Sequence, residues 1–230
     1  MNRPQVRAII ACAMPEEIAP FLTAASDVNP APQTRLQPAS AVDTQQFFTA
    51  TLADHPVALL CTGIGLLNAA RGAMRALDVW GTPAYILAGT TGGLASEVEV
   101  GNIIAGTETS YFDADATAFG YQLGQIPQMP ARYFGDITPP TGARAGLVLS
   151  GNSFVMAEHA ERVRNQFPGA LAVDMETAAV AQLCYAAAQP WMSLRAVSDL
   201  CGPEAGQDFH MELEAAAELS CQAVSGWLQK

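Results

Sequence analysis

Lysine is almost missing from this chain. Of its 11 basic residues only the terminal Lys230 is a lysine, so neither the lysine of a Walker-type phosphate loop nor a buried Schiff-base lysine is available. Positive charge is scarce altogether. Against it stand 22 acidic residues, and the net charge of −11 makes a field that repels phosphate backbones and anionic lipid, so neither nucleic acid nor a membrane surface is expected as a partner. The three histidines, His55, His159 and His210, have no finger or helical spacing to one another or to a cysteine, and no metal centre or cofactor is expected. The five cysteines are odd in number and form no C-x-x-C pair; Cys12, Cys61 and Cys184 lie in apolar runs, as free buried thiols do in a reducing cytosol. Long apolar runs are lacking too. The first one, after Arg3 and Arg7, is cut by Pro15, Glu16 and Glu17, and nothing reaches the ~18–20 residues of a membrane span. A cytoplasmic protein without signal peptide or anchor is expected.

What is present is a chain of 230 residues, 50% hydrophobic and 14% charged, enough to bury a sizeable core in one domain spanning 1–230. Short apolar runs predict strands at Val6–Ala13, Pro56–Cys61, Ala84–Ala88, Ile103–Ala105, Gly146–Leu149, Leu171–Val173 and Trp191–Val197. They are continuous more than alternating, which suits strands covered on both faces. Between them, helical spacing links Leu66, Leu67, Ala70, Ala73, Met74 and Leu77, then Met175, Ala178, Ala179, Leu183 and Ala187. A last helix carries Leu213, Ala217, Val224 and Leu228 on one face. The segments Ala24–Ser40 and Ile126–Arg144, rich in Pro and small residues, read as loops. Strands alternating with helices predict an α/β three-layer sandwich, a central mixed sheet with helices on both faces.

In such sheets ligands bind beyond the carboxyl ends of strands, so the residues that end each apolar run are the informative ones. Four endings stand out: Ala13-Met14-Pro15-Glu16-Glu17, Gly89-Thr90-Thr91-Gly92-Gly93, Val173-Asp174-Met175-Glu176 and Arg195-Ala196-Val197-Ser198-Asp199. Each has a plain structural reading. Glu16 and Glu17 suit a helix N-terminus, Asp174 with Thr177 suits an N-cap, Ser198-Asp199 suits a cap or turn, and the glycines suit a tight turn or nest. Three acidic endings and one glycine-rich ending at the same kind of place nevertheless make a site.

Those residues also carry a family resemblance. Phe112-Asp113-Ala114-Asp115-Ala116-Thr117-Ala118-Phe119-Gly120-Tyr121, followed by Gly124-Gln125-Ile126-Pro127, resembles the D-A-D-x-T-A-F-G-Y-x-x-G-Q-x-P segment of the 5'-methylthioadenosine/S-adenosylhomocysteine nucleosidases, in the nucleoside phosphorylase superfamily. Thr62-Gly63-Ile64-Gly65, Ser150-Gly151 to Phe154 and the four endings above stand in that family's order. The resemblance implies a nucleoside phosphorylase-like fold and hydrolysis of the N-glycosidic bond of 5'-methylthioadenosine and S-adenosylhomocysteine, releasing adenine and the 5-thioribose product. It implies that Glu17 orients and deprotonates the attacking water, and that Asp199, supported by Ser198, protonates adenine N7. Glu176 would hold the ribose hydroxyls, with Met175 beneath the sugar and Thr90, Thr91 and Gly92 around it. Phe154 would stack on adenine while the Val155 backbone reads the purine edge, and Met14, Ile64 and Phe209 would line the 5'-thioalkyl end. Phe119 and Pro127 would close that pocket from the neighbouring subunit of a homodimer.

The residue types fit the chemistry. Cleaving an N-glycosidic bond leaves an oxocarbenium-like sugar and an electron-rich base, so one acid must protonate the base and another carboxylate must handle water. A bidentate carboxylate also matches a vicinal diol. The chain departs from the family pattern at Pro15, where an acidic residue is often seen, at Thr90-Thr91, where Ser-Ala is usual, and at Asp174, where Glu is common. Three alternatives stay open here: phosphorolysis, a noncatalytic nucleoside-binding protein, and cleavage of aminodeoxyfutalosine. Phosphorolysis is disfavoured because the superfamily's bacterial phosphorylases place arginines where this chain has Met14-Pro15-Glu16-Glu17 and Ile86-Leu87-Ala88-Gly89. A binding protein is disfavoured because Glu17 and Asp199 are both kept.

Overall fold

A computed structural model describes residues 5–31, 45–81, 83–203 and 205–230, the side chains of 206–212 excepted. The elements run β1 (Ala8–Cys12), α1 (Pro15–Ala24), β2 (Ser26–Pro30), β3 (Gln46–Leu52), β4 (His55–Cys61), α2 (Leu66–Trp80), β5 (Ala84–Gly93), β6 (Ile103–Tyr111), β7 (Tyr133–Phe134), β8 (Arg144–Ser150), α3 (Ala157–Gln166), β9 (Ala170–Asp174), α4 (Thr177–Ala187), β10 (Trp191–Asp199) and α5 (Ala205–Leu228). The ten strands belong to one mixed sheet. Among the described residues no helix is long and apolar enough to cross a membrane.

The continuous apolar runs become the central strands because helices cover both of their faces. Along β1, Ala8, Ile10 and Cys12 point into a core shared with Ile18 and Phe21 of α1 and with Val224 and Leu228 of α5. Ile9 and Ala11 point the other way, into a core shared with Ala69, Ala73 and Ala76 of α2 and Ala178, Ala181 and Cys184 of α4. Full burial of each Ile or Leu in these layers stabilises the fold by roughly 1.5–3 kcal/mol. A third core, under α3, joins Ala160 and Val163 to Leu147, Leu149 and Val173. The last helix buries Leu213, Ala217, Val224 and Leu228, the face read from its spacing.

On α2 the expected face is rotated. Ala69, Gly72, Ala73, Ala76 and Trp80 are buried, whereas Leu67 is 80% and Met74 51% exposed. Small residues win the inner face because the helix lies close to its neighbours: a Cβ on Gly72 would stand 2.6 Å from Thr62 Cγ2. On α4, Ala178 is buried as expected, but the helix starts after Met175, Val180, Ala181 and Cys184 join it inside, and Ala187 is exposed.

The strand order β2-β3-β4-β1-β5 continues in two directions, because β5 pairs with both β10 and β9. With β6 and β8 between them, strands β5, β10, β6, β8 and β9 close into a ring. Closure depends on length. Strand β5 has ten residues and pairs with β1 only over Ala84–Leu87; its second half pairs on with β10 and crosses antiparallel onto β9 through Gly92 and Gly93. The glycine-rich ending is therefore strand, not turn or nest. Its glycines answer to crowding: a Cβ on Gly92 would lie 2.6 Å from Cys201 Sγ, and one on Gly93 3.0 Å from side-chain carbons of Leu200 and Val98.

Two loop expectations also change. Ser26–Pro30 is an edge strand paired with β3, while residues 32–40 of that segment lie outside the described residues. Within Ile126–Arg144, Tyr133–Phe134 pairs with Glu108–Thr109 of β6, a strand that runs on to Tyr111 instead of stopping at Ala105.

Candidate active site

The four strand endings converge. A cleft of about 670 Å³, counted to its open mouth, is lined by Met14, Glu17, Ile64, Thr90, Thr91, Gly92, Phe154, Val155, Met175, Glu176, Ser198 and Asp199. These are twelve of the residues expected from the sequence. Ile64 and Phe154 stand half exposed at the mouth, whereas Glu17, Glu176 and Asp199 are buried. Phe119 and Pro127 lie outside the cleft, Phe119 being 84% exposed. The backbone of Phe209 belongs to α5, but its side chain lies outside the described residues.

Glu17 sits in the first turn of α1, which Pro15 opens at a position where a missing N–H costs nothing. Its Oε2 accepts from the backbone N–H of Ala13 at 2.9 Å and of Met14 at 3.1 Å. Its Oε1 accepts from Thr90 twice, from the N–H and from the hydroxyl, each at 2.8 Å. Glu16 beside it is exposed, so the helix-terminus reading holds for Glu16 and only half describes Glu17. Room for that carboxylate comes from Gly89. Its φ is +120°, which side chains avoid, and a Cβ there would overlap the Glu17 carboxyl carbon and come within 2.8 Å of Oε2.

Asp199 ends β10, past a bulge between Val197 and Asp199. Its Oδ1 accepts from the Cys201 N–H at 2.9 Å, the turn expected of such an aspartate, and its Oδ2 accepts from the Ser198 hydroxyl at 3.0 Å. The same hydroxyl lies 3.4 Å from the carbonyl of Thr91. Burial first, and then the Asp199 charge, push the neighbouring Cys201 thiol up to about 12, so it enters the cleft wall as a neutral group.

Glu176 lies just before α4. Its Oε1 accepts from the Gly65 N–H at 2.9 Å and its Oε2 faces Arg195 Nη2 at 3.2 Å. Desolvation raises its pKa to about 7; Arg195 and the Gly65 N–H work against that rise, and Asp174 and Glu17 add to it. The N-cap of α4 is Glu176, not Asp174, which stands two residues before it and accepts from Thr177 N at 3.0 Å and Glu176 N at 3.1 Å.

Arg195 opens the fourth ending, but the sequence alone assigns it no role. It is 2% exposed within a strand that is buried throughout, and its Nη1 donates to Thr90 O at 2.9 Å while its other nitrogens face Asp174 and Glu176. Burial lowers its pKa, but Asp174, Glu176 and Glu17 outweigh that and hold it above the usual range. The available signal was a single charged residue inside the apolar run Trp191–Val197, since a charge buried in a sheet must be paired. Ala13, Ser153 and Val173, to which the sequence assigns no role of their own, also line the cleft.

An acid-lined cleft at the ends of β1, β5, β9 and β10, on a sheet that closes on itself, is a recognisable arrangement. The family model of the phosphorylase superfamily matches residues 7–229. A 5'-methylthioadenosine/S-adenosylhomocysteine nucleosidase of Staphylococcus aureus is 38% identical over 193 residues, covering 78% of this chain and 84% of that protein. The crystal structure of such a nucleosidase from Neisseria meningitidis, in complex with methylthio-immucillin-A, aligns with a TM-score of 0.87 at 31% identity, over 96% of this chain and 98% of that one. The enzyme of Colwellia psychrerythraea, in complex with adenine, aligns with the same TM-score at 30% identity, over 99% of this chain and 96% of that one. The chain belongs to the phosphorylase superfamily and, within it, to the family of 5'-methylthioadenosine/S-adenosylhomocysteine nucleosidases.

Proposed function

We propose that this protein hydrolyses the N-glycosidic bond of 5'-methylthioadenosine and S-adenosylhomocysteine, releasing adenine and the 5-thioribose product. One observation carries the reading: the acidic side chains Glu17, Glu176 and Asp199 line one cleft whose only guanidinium among the described residues, Arg195, is already committed to Asp174, Glu176 and a backbone carbonyl. Among the described residues nothing cationic is left there to hold phosphate, which supports water as the nucleophile.

Glu17 is the base. Four donors fix its carboxylate beside Thr90, and a water held by it loses its proton as the sugar carbon becomes electrophilic. Asp199 is the acid for adenine N7. The Ser198 hydroxyl has one proton and two acceptors, so it serves Asp199 Oδ2 when that group is charged and turns to Thr91 O when Asp199 holds the proton to be transferred. Glu176 takes the ribose 2'- and 3'-hydroxyls on the lone pairs that Gly65 and Arg195 leave, with Met175 under the sugar. Phe154 stacks on adenine, the Val155 backbone reads its edge, and Met14 and Ile64, with Phe209, line the 5'-thioalkyl end. In a homodimer, the exposed Phe119 and Pro127 close the neighbour's pocket. Five free cysteines, each buried, suit a cytoplasmic protein.

The test is adenine release from methylthioadenosine in phosphate-free buffer and again with added phosphate. Equal rates and a free thioribose product are expected; a phosphate-dependent rate or a sugar 1-phosphate overturns the hydrolase reading. The same assay over S-adenosylhomocysteine, 5'-deoxyadenosine and aminodeoxyfutalosine ranks the substrates.

A further inference from the structure

Asp174 is buried next to the cleft, and its contacts exceed what holding a helix N-terminus needs. Its Oδ1 accepts from the Ser150 hydroxyl at 2.6 Å as well as from the N–H groups of Glu176 and Thr177. Its Oδ2 accepts from the Thr177 hydroxyl and faces Arg195 Nε at 3.4 Å. Ser150 is itself fixed, its oxygen accepting from Ala178 N at 2.9 Å. Asp174 thus cannot rotate without breaking hydrogen bonds to β8 and α4 and an ion pair to β10.

What it anchors is a bridge. The same guanidinium that Asp174 holds reaches Glu176 Oε2 with one nitrogen and Thr90 O with another, and Thr90 in turn donates twice to Glu17. A chain of contacts therefore runs from Asp174 through Arg195 to both carboxyl groups on the sugar side of the cleft. We infer that Asp174 is a positioning residue: it aims Arg195, and through Arg195 it sets the placement and charge of the ribose-binding Glu176. This rests on the reading of Glu176 as the diol ligand.

The electrostatics agree with the geometry. The groups that face Glu176 are Arg195 from β10, Asp174 from β9, Glu17 from α1 and the Gly65 N–H from the turn before α2. Asp174 and Glu17 push its pKa up, so neutralising Asp174 lets Arg195 act on Glu176 alone and the pKa falls. Asparagine at 174 keeps the Oδ1 acceptor for the three donors, which makes Asp174→Asn a change of charge and of Arg195 anchoring with little change of shape.

The experiment is calorimetric binding of adenine and of a nonhydrolysable 5'-methylthioadenosine analogue, at a series of pH values, to wild type, Asp174→Asn, Asp174→Glu, Ser150→Ala and Glu176→Gln. At pH 8, Asp174→Asn should weaken the ribose-bearing ligand about tenfold and adenine less than about twofold, because adenine does not reach Glu176. The pH midpoint of ribose-ligand binding should move down by about half a unit or more in Asp174→Asn and stay in place in Asp174→Glu. Ser150→Ala, which loosens the anchor while keeping the charge, should show the affinity pattern in weaker form and keep the variant set informative if Asp174→Asn does not fold. Equal weakening of both ligands with an unmoved midpoint makes Asp174 a plain support of the α4 N-terminus and overturns the inference. If Glu176→Gln leaves the ratio of the two affinities unchanged, it is the diol reading that fails.

Discussion

Gly89→Ala should cost this enzyme its activity before it costs it the fold. The residue pairs with Arg195 in the middle of the sheet, with φ +120°, and its N–H donates to the Ser220 hydroxyl at 2.9 Å. An alanine in that backbone region carries about 1–3 kcal/mol of strain. Its methyl group would also stand inside the Glu17 carboxylate, and forcing neighbours aside in a packed core costs a further ~1–3 kcal/mol. The sum, roughly 2–6 kcal/mol, is smaller than all but the bottom of the ~5–15 kcal/mol range typical of a domain, so the protein is expected to stay folded with a melting temperature lower by roughly 5–20 °C.

The neighbour that must yield is the carboxylate that holds the attacking water in the proposed mechanism. Glu17 remains in the sequence but loses its two bonds to Thr90 or its two to Ala13 and Met14, and turnover should fall about 10²-fold or more, as when a general base is lost. Gly142→Ala is the control. Gly142 also has positive φ, +93°, but nothing lies within 4 Å of its would-be Cβ, so it should lower the melting temperature by the backbone term alone and leave kcat unchanged. Adenine-release kinetics at 20 °C beside thermal unfolding of both variants separate the two effects. Near wild-type kcat in Gly89→Ala would refute the claim that Glu17 must be held where it is.

Asp199→Asn should cut kcat about 10²- to 10⁴-fold while binding of a nonhydrolysable thioadenosine stays within a few fold, because asparagine still accepts from Cys201 N but transfers no proton; turnover near wild type would move the acid elsewhere. With its folded pKa raised to about 7, Glu176 is protonated as pH falls below that value, so affinity for the ribose-bearing ligand should weaken there, and Glu176→Gln should lose this dependence. The sign for stability is opposite: the folded state binds the extra proton between the ordinary carboxylate range and about 7, so this group stabilises the ligand-free protein more as pH falls through that window, read as the difference in melting temperature between wild type and Glu176→Gln. Light scattering should give about twice the 24.1 kDa chain mass, and a fully active monomer would rule out a pocket shared through Phe119 and Pro127.

The sequence was most legible where burial is symmetric. Strands β1, β4 and β10 are apolar on both faces and read directly from their runs, and the residues that end those runs form the cleft. Legibility failed where burial is slight or side chains are small. The edge strand β2, Ser-Asp-Val-Asn-Pro, is exposed at every position, and α3 buries only Ala160 and Val163 among charged neighbours, so neither leaves an apolar pattern. The second half of β5 hides its strand character in glycines that the closure of the ring requires. At the site, carboxylates at strand ends announce themselves, Asp174 among them, but the role of Arg195 and its pairing with Asp174 do not. Their meaning lies in contacts between β10, β9 and the residue before α4, and no local spacing encodes those.

The charge balance of the cleft connects the choice of nucleophile to the bond that breaks. Glu17, Asp174, Glu176 and Asp199 line it with, among the described residues, the single guanidinium of Arg195, and backbone N–H groups at Ala13, Met14, Gly65, Thr90 and Cys201 donate to three of these carboxyl groups. Dipoles orient these groups without cancelling the surplus of carboxyl groups; the Glu176 pKa is raised first by burial, with Arg195 opposing the rise and Asp174 and Glu17 adding to it. Such a surplus disfavours an incoming phosphate dianion and is nearly indifferent to a neutral nucleoside. It favours a sugar that acquires positive charge as adenine departs, and an interaction that appears only as charge develops lowers the barrier instead of merely tightening binding. The same acidic surplus therefore argues against phosphorolysis and for cleavage through a cationic ribosyl transition state.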